Sequence, residues 1–443
     1  MIRTLSVTLA LAGLASAATT LVRPGNPAIT PLGRTWLGDS TTMQWAWSGS
    51  GARLSFQGTA VSARLQARGT VYRVLVDGKE AKVLDLSNSS DTVHVLASGL
   101  ALDSHEVVLR VRTEMSQGTA TFHGFEIDGI ALAPAAAPKR RLEFYGNSIT
   151  CGYGILDSVN TNSFKVTTQD EGMTYAAHAS DSLGAERRTV CWSGRGVYRN
   201  INKDTVNPTI PKLFAQILPG DAQHLWDFSK WIPDAVVIDL GTNDYNPDNP
   251  DSTRFEKAFS DFVDSLHAKY PAAKVVLLDG PMFSDTYPVG TNSLSHVRRR
   301  LDNVVAAATA RGIAASHLSL SAQGDLGYGA DWHPSRAQAK LNGKELTDAL
   351  RSLMDWSGST SIASRANATG ATLVRQGAGW TVQLPAGLAS AKARLLDANG
   401  RMTHRLHLVG GTANGLPRGS GARWLLIELP EGVQTLAIQP HFR

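Results

Sequence analysis

Between residues 141 and 356, short apolar runs alternate with longer segments of helical period, and this alternation limits the fold more than any other feature. Leu142-Glu143-Phe144-Tyr145 reads as a strand, as do Thr189 to Trp192, Ala235 to Leu240, Val275 to Leu278 and Ile313 to Ala315. Short, mostly apolar runs of this kind suit strands covered on both faces. Between them lie Thr174 to Leu183, Ser252 to Ala268, Asn292 to Ala310 and Ser335 to Met354. In Ser252 to Ala268, the residues Phe255, Phe259, Phe262, Val263 and Leu266 fall on one helical face. Strands separated by helices predict a three-layer α/β/α domain on a parallel sheet. Ligands of such sheets sit beyond the carboxyl ends of the strands.

Residues 18–132 carry a different period. Val61, Ala63, Leu65 and Ala67 alternate with polar residues, and so do Val107, Leu109 and Val111, as half-buried strands require. Val74-Leu75-Val76 runs into Asp77-Gly78 and then Val83 to Leu86, a hairpin signal, and Asp128-Gly129 marks another turn. Short strands at this spacing predict a β-sandwich or jelly roll. Residues 133–140, opening with Ala133-Pro134-Ala135-Ala136-Ala137-Pro138, read as a stiff linker. Residues 357–369 are rich in Ser, Ala and Gly and read as a second linker; 370–443 are again β-like, as in Trp380 to Leu384 and Trp424 to Ile427. A small β-rich accessory or sorting domain is expected there.

Residues 1–17 read as a secretory signal: Arg3, an apolar run from Leu5 to Leu14, and Ala15-Ser16-Ala17 at the cleavage site. That run is too short to span a bilayer and no other stretch is long enough, so an exported protein with no membrane span is expected. The formal charge of +5 is unevenly placed, with nine Lys/Arg against three Asp/Glu from residue 365 onward. The body before it is close to neutral, which argues against nucleic acid as substrate. The two cysteines, Cys151 and Cys191, cannot build a zinc site by themselves. Two readings stay open for them, one disulfide or two buried thiols.

Three segments at strand ends carry reactive side chains. Ser148 follows the first strand in Phe144-Tyr145-Gly146-Asn147-Ser148-Ile149-Thr150; Gly241-Thr242-Asn243-Asp244 follows the third; Asp331-Trp332-His333-Pro334 precedes the last helix. The predicted fold gathers them at one sheet edge. Acyl transfer needs this set: a hydroxyl to attack, an imidazole to take its proton and fixed donors for the oxyanion. No metal or cofactor is called for.

These segments, with Ser193-Gly194 in Trp192-Ser193-Gly194-Arg195-Gly196, resemble the four sequence blocks of the SGNH (GDSL-type) hydrolases in spacing and order. Asn147 stands where many members have Asp. The run Asn147-Ser148-Ile149-Thr150-Cys151-Gly152-Tyr153-Gly154, then Arg199-Asn200 and Trp226-Asp227-Phe228, is similar to the acetylesterases of carbohydrate esterase family 2, as are Val76-Asp77-Gly78 and Arg112-Thr113-Glu114 upstream. The resemblance covers roughly residues 25 to 355. It implies a jelly roll before an SGNH hydrolase domain over 141–356, and removal of acetyl groups from plant polysaccharide such as xylan or glucomannan without a cofactor. Ser148 is then the nucleophile and His333 its base, with the oxyanion held by the N–H groups of Ser148 and Gly194 and the amide of Asn243.

The wider superfamily places a triad aspartate three residues before the histidine, where this chain has Ala330; Asp331 is two before. Either Asp331 orients the imidazole, or a backbone carbonyl such as that of Trp332 does so in a Ser–His dyad. Asp244 is expected to brace its loop. Trp332, Tyr245 and Tyr153 flank the reactive residues, and each suits either stacking on sugar rings or packing in the core. The competing readings are another SGNH activity of lipase or thioesterase type, and a glycan-binding protein without catalysis. Leu395-Leu396-Asp397-Ala398-Asn399-Gly400-Arg401 loosely resembles C-terminal sorting domains of bacterial secreted proteins. For 370–443, contact with secretion machinery, carbohydrate binding and plain stabilisation all stay open.

Overall fold

The computed structural model describes residues 19–88 and 92–356, together with the backbone of seven strands between residues 372 and 437. The expected signal at 1–17 and the second linker at 357–369 lie outside the described residues. Residues up to 356 form one compact unit and those from 357 a second.

The first part of the larger unit is a pair of antiparallel sheets. One runs Trp36–Leu37, Met43–Trp45, Ala120–Ile127, Val61–Gln66, Val93–Ala97; the other Ile130–Ala131, Gly51–Gly58, Asp103–Val111, Thr70–Val76, Lys79–Leu86. Inward-facing Val61, Ala63, Leu65, Val107, Leu109 and Val111 are buried, as alternation requires. Asp77 and Gly78 both take positive φ, 52° and 75°, in the hairpin between Thr70–Val76 and Lys79–Leu86. Asp128-Gly129 does turn the chain, but it passes from one sheet to the other. The Asp128 carboxylate fixes that corner by accepting the N–H groups of Thr59 and Ala60 at 2.7 and 2.9 Å.

A five-stranded parallel sheet follows: β1 (Arg140–Gly146), β2 (Ala185–Cys191), β3 (Ala235–Asp239), β4 (Lys274–Leu278) and β5 (Ala315–Leu318), in spatial order β2-β1-β3-β4-β5. The helices are α1 (Ser148–Cys151), α2 (Tyr175–Leu183), α3 (Ser252–Lys269), α4 (Ser293–Ala310) and α5 (Arg336–Leu353), with single-turn segments in the loops. Residues alternate between two cores along each strand. Tyr145, Val236, Ile238, Val275 and Leu277 pack with α3 and α4 through Phe255, Phe259, Val297 and Leu301. Leu142, Phe144, Val237, Val276 and Leu278 pack with α2 and α5 through Tyr175, Ala179, Leu346 and Leu350. Thr174, Asp251 and Ser335 cap α2, α3 and α5 by accepting first-turn N–H groups. The strand order reverses direction at β1, and this switch point opens the crevice where the site lies.

The sandwich and the sheet share a buried boundary. Arg34 donates to Glu143 Oε1 at 2.9 Å and to the Tyr145 hydroxyl at 2.8 Å, and both ends of the ion pair have no exposed side-chain surface. The second unit consists of a three-stranded and a four-stranded antiparallel sheet in its described segments. No described helix is long and apolar enough to cross a membrane.

Candidate active site

Gly146 at the end of β1 pairs with Cys191 of β2 and with Asp239 of β3. Ser148, Gly194 and Asn243 therefore follow three adjacent strand ends. Asn147, fully buried, caps the single turn α1 by accepting the Ile149 N–H at 2.9 Å, and Ser148 is its first helical residue. A first-turn N–H has no partner inside a helix. Among the described residues the N–H groups of Ser148 and Gly194 donate to no protein acceptor.

The second segment begins at a disulfide. Cys151 and Cys191 are bonded, with Cα atoms 5.7 Å apart, which resolves the two open readings and ties α1 to the end of β2. Trp192 to Arg195 then form a turn closed by Arg195 N–H on Trp192 O at 3.2 Å, with Gly194 at φ 78°. That conformation is why glycine stands at 194. Gly196 is required by close approach, since a Cβ there would lie 2.3 Å from Asp244 Oδ2. Asp244 braces this loop, accepting the N–H groups of Val197, Tyr198 and Arg199 at 3.0, 2.7 and 2.9 Å. Asn243, beside it, gives one amide hydrogen to Arg195 O at 2.8 Å. Its second amide hydrogen is left for another acceptor.

His333 Nε2 lies 2.8 Å from Ser148 Oγ. Its Nδ1 faces two backbone carbonyls, Ala330 O at 3.2 Å and Asp331 O at 3.1 Å. Two acceptors around Nδ1 assign its proton there, which leaves Nε2 free to accept from Ser148. Tyr153 lies against the imidazole, 4.3 Å between ring centroids, and is itself stacked on Phe164. This packing pushes the His333 pKa down to about 4, partly opposed by the two carbonyls, although part of the residue still reaches solvent.

Four expectations are corrected here. The Asp331 carboxylate does not touch the imidazole; its Oδ2 accepts from the Tyr153 hydroxyl at 2.8 Å and from Phe164 N–H at 2.9 Å. Asp331 and Trp332 both take positive φ, 48° and 61°, and this twist turns the Asp331 side chain away while its carbonyl faces Nδ1. The carbonyl of Trp332 is also not the orienting group, because it accepts from Gln323 Nε2 at 2.7 Å. Tyr153 is a packing partner of His333 whose ring is covered by Phe164, not a surface for sugar. Tyr245 is 4% exposed and its hydroxyl bonds His296 Nδ1 at 2.7 Å, so it belongs to the core. Trp332 remains outward, 54% exposed, edge-on to Tyr328 at 5.2 Å.

Asparagine at position 331 tests the difference. It keeps an acceptor for both Tyr153 and Phe164, so Asp331→Asn is expected to retain activity on an aryl acetate within about threefold. A triad aspartate would lose roughly ten-thousand-fold on the same change. A loss of that size would restore Asp331 to the catalytic machinery.

Sequence reasoning passed over Phe164, Gln323 and Tyr328, which lie in loops without periodicity, and gave Glu114 no role. Only the fold brings them to the site.

Comparison with known proteins covers both parts of the larger unit. Residues 32–136 match the carbohydrate esterase 2 N-terminal family, and residues 144–341 the GDSL-like lipase/acylhydrolase family. A cellulase/esterase of Acetivibrio thermocellus is 34% identical over 288 residues, 64% of this chain; the chain spans only 34% of that relative's length. An acetylxylan esterase / glucomannan deacetylase of Cellvibrio japonicus is 29% identical over 291 residues, covering 64% of this chain and 76% of its own. A solved family two carbohydrate esterase from Clostridium thermocellum, in complex with cellohexaose, superposes with a TM-score of 0.70 at 33% identity over 74% of this chain and 99% of its own. With both parts matched in order and a solved relative covered almost from end to end, the chain belongs to carbohydrate esterase family 2.

Proposed function

We propose that this protein is a secreted serine O-acetylesterase that removes acetyl groups from xylan or a related hemicellulose such as glucomannan. The observation that carries the reading is the 2.8 Å contact between His333 Nε2 and Ser148 Oγ, with Nδ1 held by two carbonyls. Ser148 Oγ attacks the acetyl carbonyl as His333 takes its proton, and His333⁺ then protonates the departing sugar oxygen. The tetrahedral oxyanion is met by the N–H groups of Ser148 and Gly194 and the free amide hydrogen of Asn243. Water activated by His333 then releases acetate from the acetyl-Ser148 intermediate. No cofactor enters the scheme.

Trp332, with Tyr328 beside it, offers an exposed aromatic face next to the base, suited to a sugar ring of the polymer. The polysaccharide assignment draws its support from the relatives' names and from the cellohexaose complex of the Clostridium thermocellum esterase. Export rests on the signal-like residues 1–17. Residues 370–443 are read as a small β-rich accessory domain that contacts secretion machinery or carbohydrate. Acetate release from acetylated xylan and glucomannan, followed by NMR of the residual acetyl groups, tests the reading. Release that depends on Ser148 is expected; no release from either polymer or from an aryl acetate would overturn it.

A further inference from the structure

The β-sandwich places one carboxylate against the catalytic loops. Glu114, just beyond the strand Asp103–Val111, is 3% exposed, and its Oε2 accepts the N–H of Ser193 at 2.6 Å. Its own N–H donates to Gln169 Oε1 at 3.3 Å, and Gln169 Nε2 reaches Cys151 O, in α1, at 3.4 Å. Glu114 thus holds the turn before Gly194 directly and is linked to the nucleophile's helix through one side chain. Burial raises the pKa of its carboxyl, opposed by the Ser193 N–H and the nearby Arg195 charge.

The turn explains why this matters. Ser193 and Gly194 are the two central residues of the turn Trp192–Arg195, and Gly194 has φ 78°. The peptide plane between them carries the Gly194 N–H. A positive φ at the third residue is that of a type II turn, which differs from a type I turn by a flip of the central peptide plane. A hydrogen bond on the Ser193 N–H fixes the residue from which the flip would start. The far side of the turn is held by Ile201 N–H on Gly194 O at 2.9 Å and by the Arg195 guanidinium over the Trp192 ring at 4.2 Å.

We propose that Glu114 is a positioning residue of the esterase, a carboxylate supplied by the sandwich that sets the Gly194 N–H toward the oxyanion by anchoring Ser193. The role rests on Gly194 being an oxyanion donor, as read above. It makes the sandwich a part of the active site.

The test uses the full chain with Glu114→Ala, Glu114→Gln and Asn243→Ala, measuring kcat and KM on an aryl acetate and the Kd of an alkyl boronic acid that forms a tetrahedral adduct on Ser148. Glu114→Ala is expected to lower kcat by about 10- to 100-fold with KM within about twofold, since a misplaced oxyanion donor acts on the transition state alone. Boronate affinity is expected to weaken by a similar factor. Glu114→Gln, whose carbonyl can still accept from Ser193, is expected to recover most of both. If Glu114→Ala does not fold, Glu114→Asp keeps the charge but withdraws the oxygen, and is expected to lose kcat in the same way. Parent kcat and boronate affinity in the Glu114 variants, whatever their thermal stability, would overturn the inference. If only Asn243→Ala loses kcat, the oxyanion reading survives and the role of Glu114 falls. If Asn243→Ala also keeps parent kcat, both fall.

Discussion

Ser148→Ala is expected to lower kcat on acetylated xylan and on a small aryl acetate by roughly ten-thousand-fold to million-fold, and His333→Ala by a similar factor. The two groups share one proton at 2.8 Å, so neither works without the other, and the double variant should be little worse than either single one. Residual activity would come from the oxyanion donors and binding. The pH profile adds a second check. Only neutral His333 can accept the Ser148 proton, and packing holds its pKa down to about 4. Activity is therefore expected to rise with pH through about 4 and to stay level through neutrality. The same depressed pKa makes the unfolded chain bind more protons between about 6.5 and 4, so stability falls as pH drops through that window. A kcat/KM limb near the ordinary histidine value would show that the ring is more open to solvent than its packing implies. Single variants that retain a tenth of parent activity would remove the dyad altogether.

Arg34→Met is expected to destabilise the larger unit by about 3–5 kcal/mol, the usual result of leaving a buried charge without its partner. Arg34 and Glu143 have no exposed side-chain surface; Tyr145 completes the network by donating to Glu143 Oε2 at 2.9 Å. Arg34 also donates to Phe214 O. Its pKa lies well above the ordinary arginine value because the carboxylate of Glu143 and neighbouring tyrosines outweigh the burial of the charge. Replacement by methionine keeps much of the side-chain volume but leaves the Glu143 carboxylate with only Tyr145 as donor in this network. Adding Glu143→Gln should recover part of the loss, because the orphaned charge is then gone. Urea unfolding of the three proteins measures both effects. A loss below about 1 kcal/mol for Arg34→Met would mean that water reaches this boundary and that the sandwich and the sheet are only loosely joined.

The local elements were legible in the sequence because the signals that define them are local. The face formed by Phe255, Phe259, Phe262, Val263 and Leu266 is buried on α3 as its period predicts. The alternation of Val61, Ala63 and Leu65 falls inward on its strand. Parallel β1 to β5 and the position of Ser148 beyond β1 follow from the order of strands and helices. The turn at Asp128-Gly129 was equally visible, but that it joins two sheets depends on how the sheets close over a common core.

The sequence by itself determined the alternation of strands and helices, though the last strand lies at Ala315–Leu318 and not at Ile313 to Ala315, together with the two-part organisation up to residue 356 and a serine and a histidine at loop positions suited to acyl transfer. Only the tertiary structure decided which groups surround them. A shift of one or two residues separates Asp331 as triad member from Asp331 as anchor of Tyr153 and Phe164, and the positive φ of Asp331 and Trp332 selects the anchor. Tyr245 and Tyr153 share the apolar bodies that make a sugar platform, yet three-dimensional packing covers both rings. Cys151 and Cys191 are 40 residues apart in sequence and become neighbours because β1 and β2 pair in parallel. The physical reason is the same each time. Periodicity and turn chemistry act over a few residues, whereas the contacts that seat Tyr153 against His333, bond the cysteines and bring Glu114 to Ser193 join segments tens of residues apart.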